Sequence, residues 1–111
     1  MDVIFYRSPS GREPVREFFG DLSIDDRAAL ADALTAIREH GFRAPGIVFR
    51  QIRGKLWEFR ILGSISSRVF YVTVHGPMMV LLHAYKKQGQ KAPPREIAVA
   101  ERRLKEVEHE K

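Results

Sequence analysis

Leu56-Trp57-Glu58-Phe59-Arg60-Ile61-Leu62, Ser66-Ser67-Arg68-Val69-Phe70-Tyr71-Val72-Thr73-Val74-His75, and Met78 to Tyr85 running into Lys86-Lys87 are three apolar runs of strand length. They are rich in β-branched and aromatic residues, and a Gly63-Ser64 break and a Gly76-Pro77 turn separate them. That pattern predicts three consecutive antiparallel strands. Successive strand side chains point to opposite faces. Trp57, Phe59 and Ile61 therefore share one face of the first strand, and Glu58 and Arg60 the other. Unbroken alternation in the third strand groups Met79, Leu81, His83, Tyr85 and Lys87 against Met78, Val80, Leu82, Ala84 and Lys86. One side of the sheet is expected to be core, and the other to collect Glu58, Arg60, His83, Tyr85 and Lys87. Arg68, at the start of the middle strand, has either face or the rim open to it.

Outward from this stretch, 111 residues with 44% hydrophobic content fit a single globular domain spanning 1–111. There is no cysteine, which excludes disulfides and thiolate metal sites. No cluster has metal-ligand spacing, so neither metal nor other cofactor is expected. Met1-Asp2-Val3 is not the start of a signal peptide, and no apolar run approaches membrane-spanning length, so a cytoplasmic protein without membrane contact is expected.

The net charge of +5 is unevenly divided. Between Gly41 and Arg95 lie ten basic residues, Arg43, Arg50, Arg53, Lys55, Arg60, Arg68, Lys86, Lys87, Lys91 and Arg95, against the single acid Glu58. This half carries +9 while its flanks are net acidic, a concentrated positive field that attracts polyanions.

At the N-terminus, Asp2 to Arg7 reads as a strand that is apolar on both sides, hence central or well covered. Ser10 and Glu13 have capping-box spacing, and Pro14 suits a first helical turn. Val15, Phe18, Phe19 and Leu22 then form one apolar helical stripe. A second helix is predicted from Ser23, with Asp25 and Asp26 in its first turn, Leu30, Leu34 and Ile37 as its stripe, and Gly41 as its stop. Ile47 to Arg53 reads as a strand entering a Gly54-Lys55 turn. Pro93-Pro94 opens a last helix with Ile97, Ala100, Leu104 and Val107 buried, and its charged end runs to Lys111. The order β-α-α-β-β-β-β-α predicts an α+β fold: a mostly antiparallel twisted sheet of about five strands, with helices on one face and the other face open to a partner.

Four ordered motifs go further: Leu56-Trp57-Glu58-Phe59-Arg60; Arg68-Val69-Phe70-Tyr71; Leu81-Leu82-His83-Ala84-Tyr85-Lys86-Lys87 with Lys91 and Pro93; and Glu96-Ile97 through Ala100 and Arg103. Together they resemble the phage-derived, HigB-like branch of the RelE/ParE toxin superfamily. The resemblance implies the toxin of a type II toxin-antitoxin pair, with a RelE-like, microbial-RNase-like fold that cleaves mRNA on the ribosome. It implies a site on the open sheet face, carried here by Arg60, Arg68, Lys86 and Lys87. It also implies a helix-turn-helix, HigA-like antitoxin as partner, with operator DNA reached only through the toxin-antitoxin complex. Ala84, Gly89 and Gln90 stand where this branch often has other small or hydroxyl residues. Some members of the wider superfamily poison gyrase instead.

Metal-independent RNA cleavage needs a base for the 2′-hydroxyl, an acid for the leaving 5′-oxygen, and cations against the charge developing at phosphorus. Arg60 and Arg68 suit the cationic role because a guanidinium is a planar fork that stays charged. Lys86 or Lys87 can share that role or act as the acid. Glu58, the one carboxylate of the basic half, is the candidate base, the alternative being a salt bridge that orients Arg60. His83 is a second candidate base, since histidine titrates near neutrality, the alternative being a half-buried structural residue. Tyr71 and Tyr85 can stack on bases or pack in the sheet. Arg53, Lys55, Lys91 and Arg95 complete the expected RNA contacts.

Overall fold

The computed structural model describes residues 1–63, 66–89 and 91–109. Ser64 of the first break, Gln90, and the last two residues of the charged C-terminal end lie outside the described residues. Strand β1 (Asp2–Phe5) is followed by α1 (Pro14–Gly20), α2 (Ile24–His40) and a single 3-10 turn (Gly41–Arg43). Four strands come next, β2 (Ile47–Arg53), β3 (Leu56–Ile61), β4 (Ser67–Val74) and β5 (Met78–Lys86), and α3 (Pro94–His109) closes the chain.

Local chemistry explains most of these boundaries. Ser23 Oγ accepts the Asp26 amide at 3.2 Å and so caps α2. Gly41, at φ 60°, ends that helix with its amide on the Ile37 carbonyl. The capping box expected at Ser10 does not form. Ser10 Oγ pairs with Ser8 Oγ at 2.9 Å, and α1 starts from Glu13 with no side-chain cap and relies on Pro14 at its first position.

The sheet order is β1-β5-β4-β3-β2. The pairs β2/β3, β3/β4 and β4/β5 are antiparallel, as the turn spacing predicts, but β1 lies parallel to β5 and makes the sheet mixed. The two helices after β1 carry the chain to the far edge, and the meander β2 to β5 returns to β1's side. Strand β1 is consequently an edge strand, not a central one, and Ile4 is 40% exposed.

Both faces of the sheet are covered, which corrects the expected one-sided helix layer. On one face Val15, Phe19, Leu30, Leu34 and Ile37 of α1 and α2 pack on Phe59, Val69, Tyr71, Met79 and Leu81. On the other, Ala100 and Leu104 of α3 pack on Leu56, Phe70, Val72, Val80, Leu82 and Tyr85. The buried stripe of α3 is the one its periodicity predicts; which face it would choose is not encoded in that periodicity. Each fully buried side chain contributes about 1.5–3 kcal/mol of transfer free energy.

One irregularity re-sorts the faces. Phe70 pairs with His83, yet Tyr71 pairs with Leu81, so Leu82 is a bulge in β5. Before the bulge Met79 and Leu81 face α1 and α2; after it Ala84 does, while His83 and Tyr85 face α3 together with Leu82. Strict alternation would have kept Met79, Leu81, His83 and Tyr85 on one side. The extra residue is what lets two polar side chains join the α3 face without dragging two core residues along.

Candidate functional site

The α3 face carries a polar row across four strands. Arg50 of β2 pairs in register with Glu58 of β3, Glu58 with Phe70 of β4, and Phe70 with His83 of β5. In the adjoining row Arg68 of β4 lies opposite Tyr85 of β5. Glu58, only 3% exposed, accepts the Tyr85 hydroxyl at 3.0 Å on Oε2 and an Arg50 guanidinium N–H at 3.3 Å on Oε1. Arg68 is 9% exposed, and its hydrogen bond among the described residues goes to the adjacent Ser67 carbonyl, at 3.2 Å. Burial pushes the Tyr85 hydroxyl well above its ordinary value, the charge and hydrogen bond of Glu58 push it further, and Arg68 and Arg50 oppose them.

Aromatic stacking fixes these groups. Tyr85 stacks on Phe70 with ring centroids 5.3 Å apart, and His83 lies nearly parallel to both rings at 6.4 Å. His83 is tied to α3 on its two nitrogens: Nε2 is 2.6 Å from Glu96 Oε1, and Arg103 Nη1 donates to Nδ1 at 3.3 Å. An arginine can only donate, so Nδ1 is the acceptor and the proton sits on Nε2, directed at Glu96. The same Arg103 nitrogen also donates to the Leu82 carbonyl at 2.9 Å, at the bulge.

Burial lowers the His83 pKa below the usual histidine value of 6.5, with the Glu96 hydrogen bond opposing and Arg103 reinforcing. The unfolded chain therefore takes up this proton before the folded chain does. The stability held here is complete above about pH 6.5 and is lost as pH falls below it towards the folded-state pKa. Unfolding free energy of the wild type should drop with acidification more steeply than that of His83→Asn, measured by urea denaturation across the pH range. Parallel curves would remove His83 as the titrating group.

The expected site residues separate into groups. Glu58, Arg68, His83 and Tyr85 come together. Arg60 is on the same face, two residues from Glu58 and partly exposed, but the partner of Glu58 is Arg50, so the expected Glu58–Arg60 bridge is replaced by a cross-strand one. Lys86 ends β5 opposite Ser67 and alternates away from Tyr85. Lys87 is partly buried, with its amide on the Ser66 carbonyl at 2.9 Å. Lys91 and Arg95 are exposed around the start of α3. Arg53 and Lys55 hold α3 itself: Arg53 makes a forked pair with Glu101 at 2.9 and 2.6 Å, and Lys55 reaches Glu108 at 3.1 Å. Tyr71 lies on the opposite face, among Phe42, Phe49 and Phe59. Sequence reasoning passed over Arg50, Glu96 and Arg103 as site components. For Arg50 the signal lies in a short β2-turn-β3 hairpin that sets it against Glu58; for the two α3 residues it lies only in their place in the fourth motif, because nothing local says that α3 crosses this face.

Fold and site together define a small α+β domain with a mixed sheet sandwiched between helices and a recessed carboxylate-tyrosine pair set among arginines. Residues 17–105 match the family model described as Phage derived protein Gp49-like (DUF891). The chain belongs to this Gp49-like family, a family associated with RelE/HigB-like toxins. No curated protein matches the sequence. No helix among the described residues is long and apolar enough to cross a membrane.

Proposed function

We propose that this chain is the HigB-like toxin of a type II toxin-antitoxin pair, acting as a metal-independent, ribosome-dependent mRNA endonuclease on the α3 face of the sheet. The observation that carries the reading is the buried Glu58–Tyr85 pair flanked by Arg50 and Arg68 in the half of the chain with +9 charge. Membership of a toxin-associated phage-derived family supports it.

In this reading the RNA 2′-oxygen attacks phosphorus to form a 2′,3′-cyclic phosphate, and the bond to the 5′-oxygen breaks. Arg68 and Arg60 offset the charge that develops on the phosphoryl oxygens, where a desolvated cation acts more strongly than in water. Glu58 and Tyr85 share one proton, and RNA entry frees the pair to take the 2′-hydroxyl proton. Lys87, two residues beyond Tyr85, serves as the donor for the leaving 5′-oxygen, and Lys91 and Arg95 hold flanking phosphates. His83, with its nitrogens engaged by Glu96 and Arg103, positions Phe70 and Tyr85 instead of acting as the base. A helix-turn-helix antitoxin neutralises the toxin and alone brings it to operator DNA.

The test is cleavage in a translating extract, with cut ends mapped by primer extension. Codon-phased cuts are the expected result. Intact message with translation halted elsewhere, or a DNA-damage response without translation loss, moves the target to gyrase or another process. The internal engagement of Glu58 and His83 favours one second reading, an RNA-binding protein that does not cut. That reading predicts salt-dependent RNA retention and uncut message in the same assay.

A further inference from the structure

Strand β1 closes one side of the sheet and leaves a row of backbone groups open. The Asp2 and Tyr6 amides donate to the Pro77 and Leu81 carbonyls at 2.8 and 2.9 Å, on the β5 side. Backbone groups alternate in direction along a strand, so the amides and carbonyls of Val3 and Phe5 point away from β5. They face an edge that no other strand occupies among the described residues.

A hollow flanks this row on each face of the sheet, and Phe5 lines both. On the α3 face, Ile4, Val74, Met78, Val80 and Val107 form the apolar part of an open pocket of about 440 Å³. On the α1/α2 face a groove of about 380 Å³ has Phe5, Phe19 and Leu34 in its floor and Arg16, Arg27 and Arg38 around it. Arg16 holds Glu13 through Nε at 2.6 Å and lies over the Phe5 ring at 4.1 Å. Arg27 and Arg38 are exposed and form no ion pair among the described residues. Among those residues no carboxylate lines either hollow.

We infer that β1 is the docking edge for an extended segment of a partner protein, which pairs beside it as a sixth strand, sets apolar side chains into the α3-face pocket and directs alternating acidic ones to Arg16, Arg27 and Arg38. The open row offers donors and acceptors together, and a peptide backbone satisfies both. RNA phosphates bring acceptors alone and would leave the Val3 and Phe5 carbonyls unpaired. Neighbouring strands lie about 4.7–4.9 Å apart, so the side chains of an added strand continue the rows of Ile4 and Phe5, one towards each hollow. One hollow is apolar and the other is ringed by guanidiniums, which pair best with carboxylates. A second copy adding its own β1 would bring two arginine-ringed grooves together, and like charges oppose that. The inference does not depend on the cleavage reading.

The probe is a synthetic peptide of alternating valine and glutamate added to the intact chain, and the readout is amide hydrogen exchange followed residue by residue by NMR. Binding should slow exchange at Val3 and Phe5 and leave Asp2 and Tyr6, already bonded on the β5 side, unchanged. A peptide with lysine in place of glutamate should not bind. Of two N-methylated forms, one modified at the valines and one at the glutamates, the form that blocks the edge facing β1 should lose binding and the other keep it. Arg27→Gln combined with Arg38→Gln should weaken the peptide by roughly tenfold or more, the loss of charge-assisted contacts, while Lys105→Gln, at an exposed position of α3, leaves it unchanged. Val3→Pro removes an outward amide and spares the bonds to β5; it should weaken binding with the fold kept, as circular dichroism checks. The inference is overturned by a lysine peptide that binds as tightly, by N-methylated forms that both keep binding, or by an arginine double variant that binds as wild type does. It is equally overturned if the valine-glutamate peptide leaves exchange at Val3 and Phe5 unchanged, or if a concentration-dependent dimer or an oligoribonucleotide protects those two amides instead.

Discussion

Arg68→Ala is expected to slow mRNA cleavage by roughly 10²–10³-fold, the range found when one preorganised donor to a developing oxyanion is removed. Arg68 is nearly enclosed, opposite Tyr85 and within electrostatic reach of it. Among the described residues its guanidinium donates to the neighbouring Ser67 carbonyl through one nitrogen, and the rest of the fork suits phosphoryl oxygens. A buried cation with so few committed donors is costly unless an anion completes it. Glu58 keeps Arg50 and Tyr85 in the variant, and the fold should survive, as circular dichroism would check. Arg68→Lys should recover only part of the rate, because charge returns without the planar fork. Primer-extension rates for the three proteins decide the matter: an alanine variant that cuts as fast as wild type would place the site elsewhere.

Phe70→Ala should be the most damaging single change to the fold, costing about 3–5 kcal/mol by urea denaturation. Phe70 is fully buried at the centre of the α3 face, with Tyr85 stacked on one flank and His83 beside it. In a domain whose total stability is on the order of 5–15 kcal/mol, that loss is a large fraction. Phe70→Leu, which refills most of the volume, should lose much less. If both variants unfold at the wild-type urea midpoint, the α3 cluster does not carry the stability assigned to it. Cleavage by Phe70→Leu should fall more than its stability does, because Tyr85 loses the surface that orients it towards Glu58.

The candidate site was half visible in the residues. Glu58, Arg60, His83 and Tyr85 were grouped by side-chain alternation, and the charge imbalance pointed to the same half of the chain. Alternation alone carries Met79 and Leu81 onto that face as well, and only the bulge at Leu82 separates them. Arg53 and Lys55 read as free cations because their partners, Glu101 and Glu108, are far along the chain. Tyr71 reads as a possible RNA contact from its residue type, although its place in β4, an odd number of residues from Arg68, puts it on the opposite face.

What the amino-acid sequence determined by itself was local. Strand runs, the Ser23 cap, the Gly41 stop, the Pro94 start and the stripe of each helix all follow from interactions a few residues long, and every one of those elements formed. Tertiary structure alone decided that β1 runs parallel to β5 at an edge, that α3 lies across from α1 and α2, and that Arg50, not Arg60, holds Glu58. Each of these depends on which distant segments share a layer or a register. Periodicity records that a side chain needs to be buried, but not against what, and that choice is made only when the whole sheet closes over its two cores.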